Sequence, residues 1–218
     1  MTDAGEADHD RDRPRLDPVD ITARARAACG PVGRLALPRQ ASWPIFPFAT
    51  AGLRITELED PVLPEPPRRG ERAEDCWTCR SDDDHFVWSD ESWRVSMSNE
   101  PLAVPEVVLH PREHIDFHQL DDGQAAEMGV RLIRIQRALA GIEGVGRVHV
   151  YKWGDGGAHL HIVVVARPVG MMQLRGMFLT TWMNVLPPLD PDLWMAIRSH
   201  VRTGLDAASA GAGPPAEG

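Results

Sequence analysis

Two histidines separated by one residue lead into a run of β-branched apolar residues. They are His159 and His161, in a segment that reads GGAHLHIVVVA over 156–166. Such a run predicts a buried strand, which we expect to span 158–166. Because side chains alternate between the two faces of a strand, His159, His161 and Val163 are predicted to point the same way. Unpartnered imidazole is costly to bury, so this pair indicates a ligand, a metal or a reaction, unless both rings are simply hydrogen-bonded inside a core.

A second candidate site is the C-x-x-C pair formed by Cys76 and Cys79. No βαβ pattern surrounds it, which counts against a thioredoxin-like redox role. Two cysteines need two further ligands to close a tetrahedral zinc site. The histidines that could supply them are His85, His110, His114, His118, His149, His159, His161 and His200.

Composition limits the classes of protein to which the chain can belong. A formal net charge of −9 over 218 residues argues against stable binding of nucleic acid through its phosphate backbone. No apolar run approaches the length of a membrane span, so no membrane association is expected. The acidic start of the sequence, with no basic and apolar leader, predicts a cytoplasmic protein.

The chain is predicted to divide into three regions. Residues 1–70 form an acidic, proline-rich N-terminal extension that is expected to be partly disordered. Within it, the apolar but proline-broken stretch 43–48 is expected to pack on the main domain as an arm. The main domain follows over 71–207, and 208–218 form a flexible tail.

The elements of the main domain indicate an α+β fold with an antiparallel sheet. A hairpin is expected over 85–97, with further strands over 106–109, 147–153 and 158–166. One helix is predicted over 121–140, and a C-terminal helix begins with Asp190 as its cap and Pro191 in its first turn. The apolar stripe of that last helix is predicted to contain Leu193, Ile197, Val201 and Leu205.

The order of these pieces resembles the histidine-triad (HIT) superfamily. Members carry an apolar strand with Pro-basic-x-His, then a helix, a strand, a glycine-rich turn and His-x-His-x-His. Here 107–114 read VVLHPREH, and 159–167 read HLHIVVVAR. The resemblance implies a HIT-like antiparallel sheet of about five strands with one main packed helix, and it places His159, His161 and Val163 at the three triad positions.

The resemblance also implies a metal site. In zinc-bearing members, and in the related galactose-1-phosphate uridylyltransferases, the ligands are a C-x-x-C, the histidine of the Pro-x-x-His segment and the first triad histidine. Carried over, a structural Zn²⁺ would be held by Cys76, Cys79, His114 and His159. His110 or His118 could replace His114, but neither has its motif position.

His161 then matches the family nucleophile, which attacks the α-phosphate of a nucleotide. We expect a backbone carbonyl to hold the other nitrogen of its ring. The candidate substrate-binding residues are Gly156 and Gly157 of the glycine turn, Arg167 at the family arginine, and Ser98 at the ribose-binding position. The fold also implies a possible homodimer.

Three departures from the family pattern affect the expected chemistry. Val163 replaces the third histidine and cannot donate a proton. Gly157-Ala158 stands where many members carry Gln-Ser or Gln-Thr, and Ser98 stands where many carry an acidic residue. The resemblance predicts a nucleotidyl hydrolase or transferase that uses a nucleotidyl-histidine intermediate. The alternatives are a catalytically degenerate domain that binds a nucleotide or a protein, and a zinc-stabilised domain whose histidines are all structural.

Overall fold

A computed structural model of the protein describes residues 17–31, 33–44, 46, 48–56 and 59–210. These residues form two compact units, one drawn from 17–43 and 48–66 and the other from 44–46 and 67–210. Residues 1–16, within the extension predicted to be partly disordered, and residues 211–218 of the predicted tail lie outside the described residues. Among those that are described, no helix combines the length and hydrophobicity needed to cross a bilayer.

The first unit contains helix α1, Pro18–Ala27. Asp17 caps this helix, because its side chain accepts hydrogen bonds from the backbone N–H groups of Val19 and Asp20. A proline in the first turn, where a missing N–H costs nothing, also favours a helix start here. A single turn of 3₁₀ helix follows at Arg39–Ser42.

The second unit is built on a five-stranded antiparallel sheet in the order β1-β2-β3-β5-β4. Its strands are β1 Trp88–Ser89, β2 Trp93–Ser96, β3 Glu106–Pro111, β4 Val145–Tyr151 and β5 Ile162–Pro168. Its helices are α2 Trp77–Arg80, α3 Asp122–Ala140, α4 Phe178–Trp182 and α5 Pro191–Ala210. The predicted α+β class, antiparallel sheet and two long helices are confirmed.

Helices α3 and α5 pack on each other and on one face of the sheet. Helix α3 starts at a capping box in which Asp121 and Gln124 bond to each other's backbone N–H groups. Helix α5 starts at Asp190, which caps it as predicted. It continues through 208–210, the first residues of the predicted tail.

The apolar stripe of α5 differs from the prediction at its first position. Ile197, Val201 and Leu205 are buried, but Leu193 is 48% exposed and Trp194 is fully buried in its place. The indole of Trp194 donates to the carbonyl of Ser98, so its polar atom is satisfied inside the core.

The opposite face of the sheet is covered by shorter segments. A smaller buried cluster there contains Val165 of β5 with Val104, Leu174 and Leu179. Phe46, from the predicted arm, makes an edge-to-face contact with Phe178 at 5.9 Å between ring centroids. Packing of the arm is therefore seen at this residue.

Strand β5 begins at Ile162, four residues later than the sequence predicted. Residues 158–161 lie before the strand, with bends at 158 and 159, and their backbone pairs elsewhere. The N–H of Ala158 donates to the carbonyl of Arg69, and the N–H of Leu160 donates to that of Ile115. The predicted alternation nevertheless holds, since Leu160 is buried in the core under the helices while His159 and His161 line a cavity.

Candidate functional site

The two histidines of the H-x-H pair open into a cavity of about 480 Å³. The glycine turn that precedes them forms one wall, and the start of α2 forms another. The lining includes Arg69, Gly70, Cys76, Trp77, His110, Gly156, Gly157, His159 and His161. Segments that are far apart in sequence therefore meet at this cavity, next to the N-terminal end of β5.

The four predicted metal ligands come together beside this cavity. The ligand atoms of Cys76, Cys79, His114 and His159 all lie within 4.8 Å of one another. The Sγ of Cys79 is 3.2 Å from Nδ1 of His114 and 3.4 Å from Nδ1 of His159, and the Sγ of Cys76 is 3.5 Å from the same His159 atom. In a tetrahedral zinc site, a sulfur and a nitrogen are roughly 3.6 Å apart. The cluster therefore has the donors and the spacing of a metal site.

The outer nitrogens of both ligand histidines are held by backbone carbonyls. Nε2 of His159 lies 2.9 Å from the carbonyl oxygen of Pro111, and Nε2 of His114 lies 3.2 Å from that of Glu71. Since a carbonyl only accepts, each Nε2 carries the proton and each Nδ1 presents a lone pair to the thiols. This fixed tautomer is the usual outer-shell arrangement of metal-binding histidines.

Burial disfavours charge within this cluster in the absence of an ion. Burial, followed by the hydrogen bond with Cys76, raises the pKa of the Cys79 thiol to about 11. Burial likewise lowers the pKa of His159, so its ring is neutral at physiological pH. A metal would bind the thiolates, so its binding would release protons.

His161 lies next to the cluster but is not part of it. Its Nδ1 is 2.8 Å from the backbone carbonyl oxygen of His159, so a backbone carbonyl holds the ring as the sequence analysis expected. Nδ1 is therefore the protonated nitrogen, and Nε2 keeps its lone pair. A Cβ added to Gly157 would lie 3.6 Å from Cε1 of His161, so the glycine turn passes directly beside the ring.

Two predicted substrate-binding residues lie outside the cavity lining. Arg167 is buried further along β5, where its guanidinium donates to the carbonyls of Pro168 and Met171. Ser98 uses its carbonyl to accept from α5, and its hydroxyl accepts from the N–H of Glu100. The structure thus brings Gly156 and Gly157 to His161, but it does not bring Arg167 or Ser98 there.

His110 lines the cavity without joining the metal cluster. Its Nε2 lies 2.9 Å from the hydroxyl of Ser96, and its Nδ1 is buried without a hydrogen-bond partner among the described residues. Burial, followed by the positive charges that His159 and His161 can carry, lowers the pKa of His110 to about 3, so the ring is neutral. His118, the other alternative ligand, is exposed on a 3₁₀ turn outside the cluster.

Arg69 and Trp77 are lining residues that sequence reasoning did not find. Trp77 lies between the two cysteines, and its indole is 55% exposed. Arg69 belongs to a proline- and charge-rich stretch that resembles a linker. It reaches the cavity through an isolated parallel β-bridge to Gly157. A pairing of one residue leaves no periodic pattern in the sequence, so no signal there could have shown it.

No protein-family model matches this chain, and no curated protein matches it. Several solved structures do match it. One from Bradyrhizobium japonicum is 22% identical, with 55% of this chain aligned to 89% of the other at a TM-score of 0.46. One from Marinobacter aquaeolei is 16% identical, with 57% aligned to 90% at a TM-score of 0.46. A zinc-bound one from Mycobacterium smegmatis is 17% identical, with 57% aligned to 86% at 0.41.

All three are histidine triad proteins.

Proposed function

We propose that this protein is a nucleotidyl hydrolase or transferase in which His161 attacks the α-phosphate of a nucleotide substrate. The observation that carries the proposal is the hydrogen bond from Nδ1 of His161 to the carbonyl of His159. In the neutral ring it fixes the tautomer with the proton on Nδ1, so that the lone pair is on Nε2, beside a cavity large enough for a phosphate group.

The proposed reaction has two chemical steps. The lone pair of Nε2 attacks phosphorus, a P–N bond forms, the bond from phosphorus to the leaving oxygen breaks, and the electron pair departs with that oxygen. Water or another acceptor then attacks phosphorus, so that a new P–O bond forms and the P–N bond breaks. The electron pair of the P–N bond returns to Nε2, and the proton of the acceptor goes to solvent. The imidazolium formed between the two steps is stabilised by the His159 carbonyl, which accepts from Nδ1–H throughout.

We further propose that Cys76, Cys79, His114 and His159 hold a structural Zn²⁺. Two cysteine sulfurs and two imidazole nitrogens at these distances match the ligand set and spacing that zinc prefers. With four protein ligands the ion would have no open position, so it would join segments of the chain and take no part in the reaction. The predicted homodimer remains a prediction.

Release of nucleoside monophosphate by the wild type, His161→Ala and His118→Ala tests the proposal. The substrates would be a dinucleoside polyphosphate, a nucleotide sugar and a nucleoside phosphoramidate. Wild type and His118→Ala, whose ring is exposed outside the cavity, are expected to release product. His161→Ala is expected to lose this activity while keeping its metal content. Equal release by all three proteins would contradict the proposal.

Val163 supports a second candidate, a domain that binds nucleotide without turning it over. The third triad position carries an isopropyl group, which offers no proton. This candidate predicts no release by the wild type from any substrate, together with a nucleotide-dependent rise in the unfolding temperature. A wild type with neither release nor thermal protection would favour a purely structural role for the histidines.

A further inference from the structure

Among the described residues, Arg69 is a cation at the cavity that forms no ion pair with a carboxylate, since Asp75, the acidic residue of the same lining, pairs with Arg72 instead. Three other basic residues near the glycine turn or the histidines already have acidic partners. Arg68 and Lys152 both contact Asp116, at 2.6 and 3.2 Å, and Arg112 contacts Asp83 at 2.6 Å. In the described part of the chain, Arg69 forms no such ion pair. Within the same described residues, its guanidinium donates from Nε to the carbonyl of Gly156 at 3.3 Å and makes no other hydrogen bond.

The backbone holds Arg69 in this place. Its N–H donates to the carbonyl of Gly156 at 3.2 Å, and its own carbonyl accepts from the N–H of Ala158 at 3.0 Å. The next residue, Gly70, has φ +67° and lies so close to the C-x-x-C that an added Cβ would be 3.1 Å from Cα of Cys76. These contacts hold the residue against the glycine turn before any ligand arrives.

Arg68 holds the same segment from its other side. Its guanidinium donates to Asp116 and to the carbonyl of Gly154, so it ties the segment to both the loop after β3 and the glycine turn. Adjacent arginines therefore have different roles. One is neutralised and fixes the segment, while the other extends its charge into the cavity.

The two glycines show on which side of His161 this charge lies. An added Cβ at Gly157 would meet the His161 ring, and one at Gly156 would meet Nη2 of Arg69 at 3.7 Å. Gly156 therefore lies beside the guanidinium of Arg69, and the next residue, Gly157, lies beside the ring of His161. A phosphate attacked by His161 would have its neighbouring phosphate directed toward Arg69.

We propose that Arg69 binds the leaving phosphate of the substrate, which makes the preferred substrate a nucleotide with at least two linked phosphates. This inference rests on the proposed function, because it takes His161 as the nucleophile. When the bond to the leaving oxygen breaks, the electron pair stays on a phosphate whose added negative charge the guanidinium neutralises. No proton has to be supplied, which agrees with valine at the third triad position.

Binding of ADP and AMP to a His161→Ala background tests the inference without turnover. Adding Arg69→Ala is expected to weaken ADP binding by about tenfold or more, the effect of losing a charged hydrogen bond, and to change AMP binding much less. Arg69→Lys should restore part of the ADP affinity, because it returns the charge without the planar pair of donors. Arg202→Ala, which removes an exposed arginine on α5, is the matched control and should leave both affinities unchanged.

Each of the other results would overturn the inference. Unchanged ADP affinity in Arg69→Ala would show that the guanidinium does not bind phosphate. An equal loss of affinity for AMP and ADP would show that the guanidinium binds the attacked phosphate instead. If the His161→Ala protein did not bind ADP at all, nucleoside diphosphates would be ruled out as ligands of this site. Metal content and unfolding temperature, measured on every variant, separate these results from misfolding. The proposed function fails independently, through turnover that survives His161→Ala.

Discussion

Val163 is half-buried in β5, where it pairs with Val108 on one side and Tyr151 on the other. Because side chains alternate along a strand, its side chain is expected on the same side as that of His161, two residues earlier. A histidine placed there would be positioned to protonate a departing group, whereas valine cannot. The choice between substrates is therefore predicted to depend on this one side chain.

Val163→His is expected to raise phosphoramidate hydrolysis at least about tenfold relative to hydrolysis of dinucleoside polyphosphates, since general acid catalysis helps most when the leaving group is an amine. The ratio of the two kcat/KM values measures this effect. Val163→Leu, which changes the size of the side chain without adding a proton donor, is the control. An unchanged ratio in the histidine variant would contradict this role for position 163.

Cys79 has the shortest contacts in the proposed metal cluster, so Cys79→Ser is expected to remove about one equivalent of bound metal and lower the unfolding temperature. Cys29→Ser is the matched control, because Cys29 lies outside the cluster in the first unit. Elemental analysis and thermal unfolding of the two variants provide the measurements. Full metal content in Cys79→Ser would rule out this residue as a ligand.

The segment that carries Arg69 depends on its conformation as an element. Gly70 combines a positive φ with a close approach to the backbone of Cys76, where an added Cβ would lie 3.1 Å from Cα and fit only if the neighbouring backbone moved by a few tenths of an ångström. Ordinary L-residues avoid this conformation. The segment therefore requires glycine at this position.

Gly70→Ala is expected to destabilise the protein by about 1–3 kcal/mol, from a left-handed backbone and a close contact. Gly129→Ala is a contrasting control, since that glycine lies in α3 with nothing within 4 Å of an added Cβ, and alanine is the better helix former there. It should stabilise by roughly 0.5–1 kcal/mol. Chemical denaturation would measure both, and equal effects would contradict this account of Gly70.

On the scale of the whole second unit, Asp116 joins three separate segments. Its carboxylate contacts Arg68 and Lys152, and it caps the turn that starts at Phe117. Burial alone would raise the pKa of Asp116, but the hydrogen bonds from Arg68, the Phe117 N–H and Lys152 outweigh it. The net effect is a pKa well below the ordinary value of 3.8.

A depressed folded-state pKa stabilises the protein fully above the unfolded value. That contribution falls as the pH drops below about 4 toward the folded pKa. Asp116→Asn is therefore expected to lower stability at pH 7 and to flatten the loss of stability below about pH 4. Denaturation at a series of pH values would measure this. Parallel curves for wild type and variant would show that Asp116 contributes nothing to acid sensitivity.

The elements that the sequence predicted well are those with local signals. The caps at Asp121 and Asp190 mark the starts of the long helices, and the β-branched run marks β5. The strand began later than expected because hydrophobicity does not reveal where a backbone N–H finds its partner. In this chain the partners of Ala158 and Leu160 are Arg69 and Ile115.

The candidate site was predictable to a similar extent. The ligand set followed from motif order, which brings Cys76, Cys79, His114 and His159 together. Arg167 and Ser98 matched family positions in sequence, but their polar groups are engaged elsewhere in the fold. Trp194 shows the same limit in the core, since a helical stripe fits either of two adjacent apolar residues until tertiary packing selects one.

His159 takes part both in the proposed metal cluster and in holding the ring of His161. Its side chain faces the two thiols, while its carbonyl oxygen holds the ring of His161. The imidazole and the carbonyl of His159 are separated by a few covalent bonds, so a rotation of the backbone at this residue would move both groups. A disulfide between Cys76 and Cys79 would remove both thiols that face the His159 ring, while the carbonyl of the same residue holds His161, the proposed nucleophile. The proposed activity is therefore expected to depend on reduced thiols, although no thiol takes part in the proposed reaction.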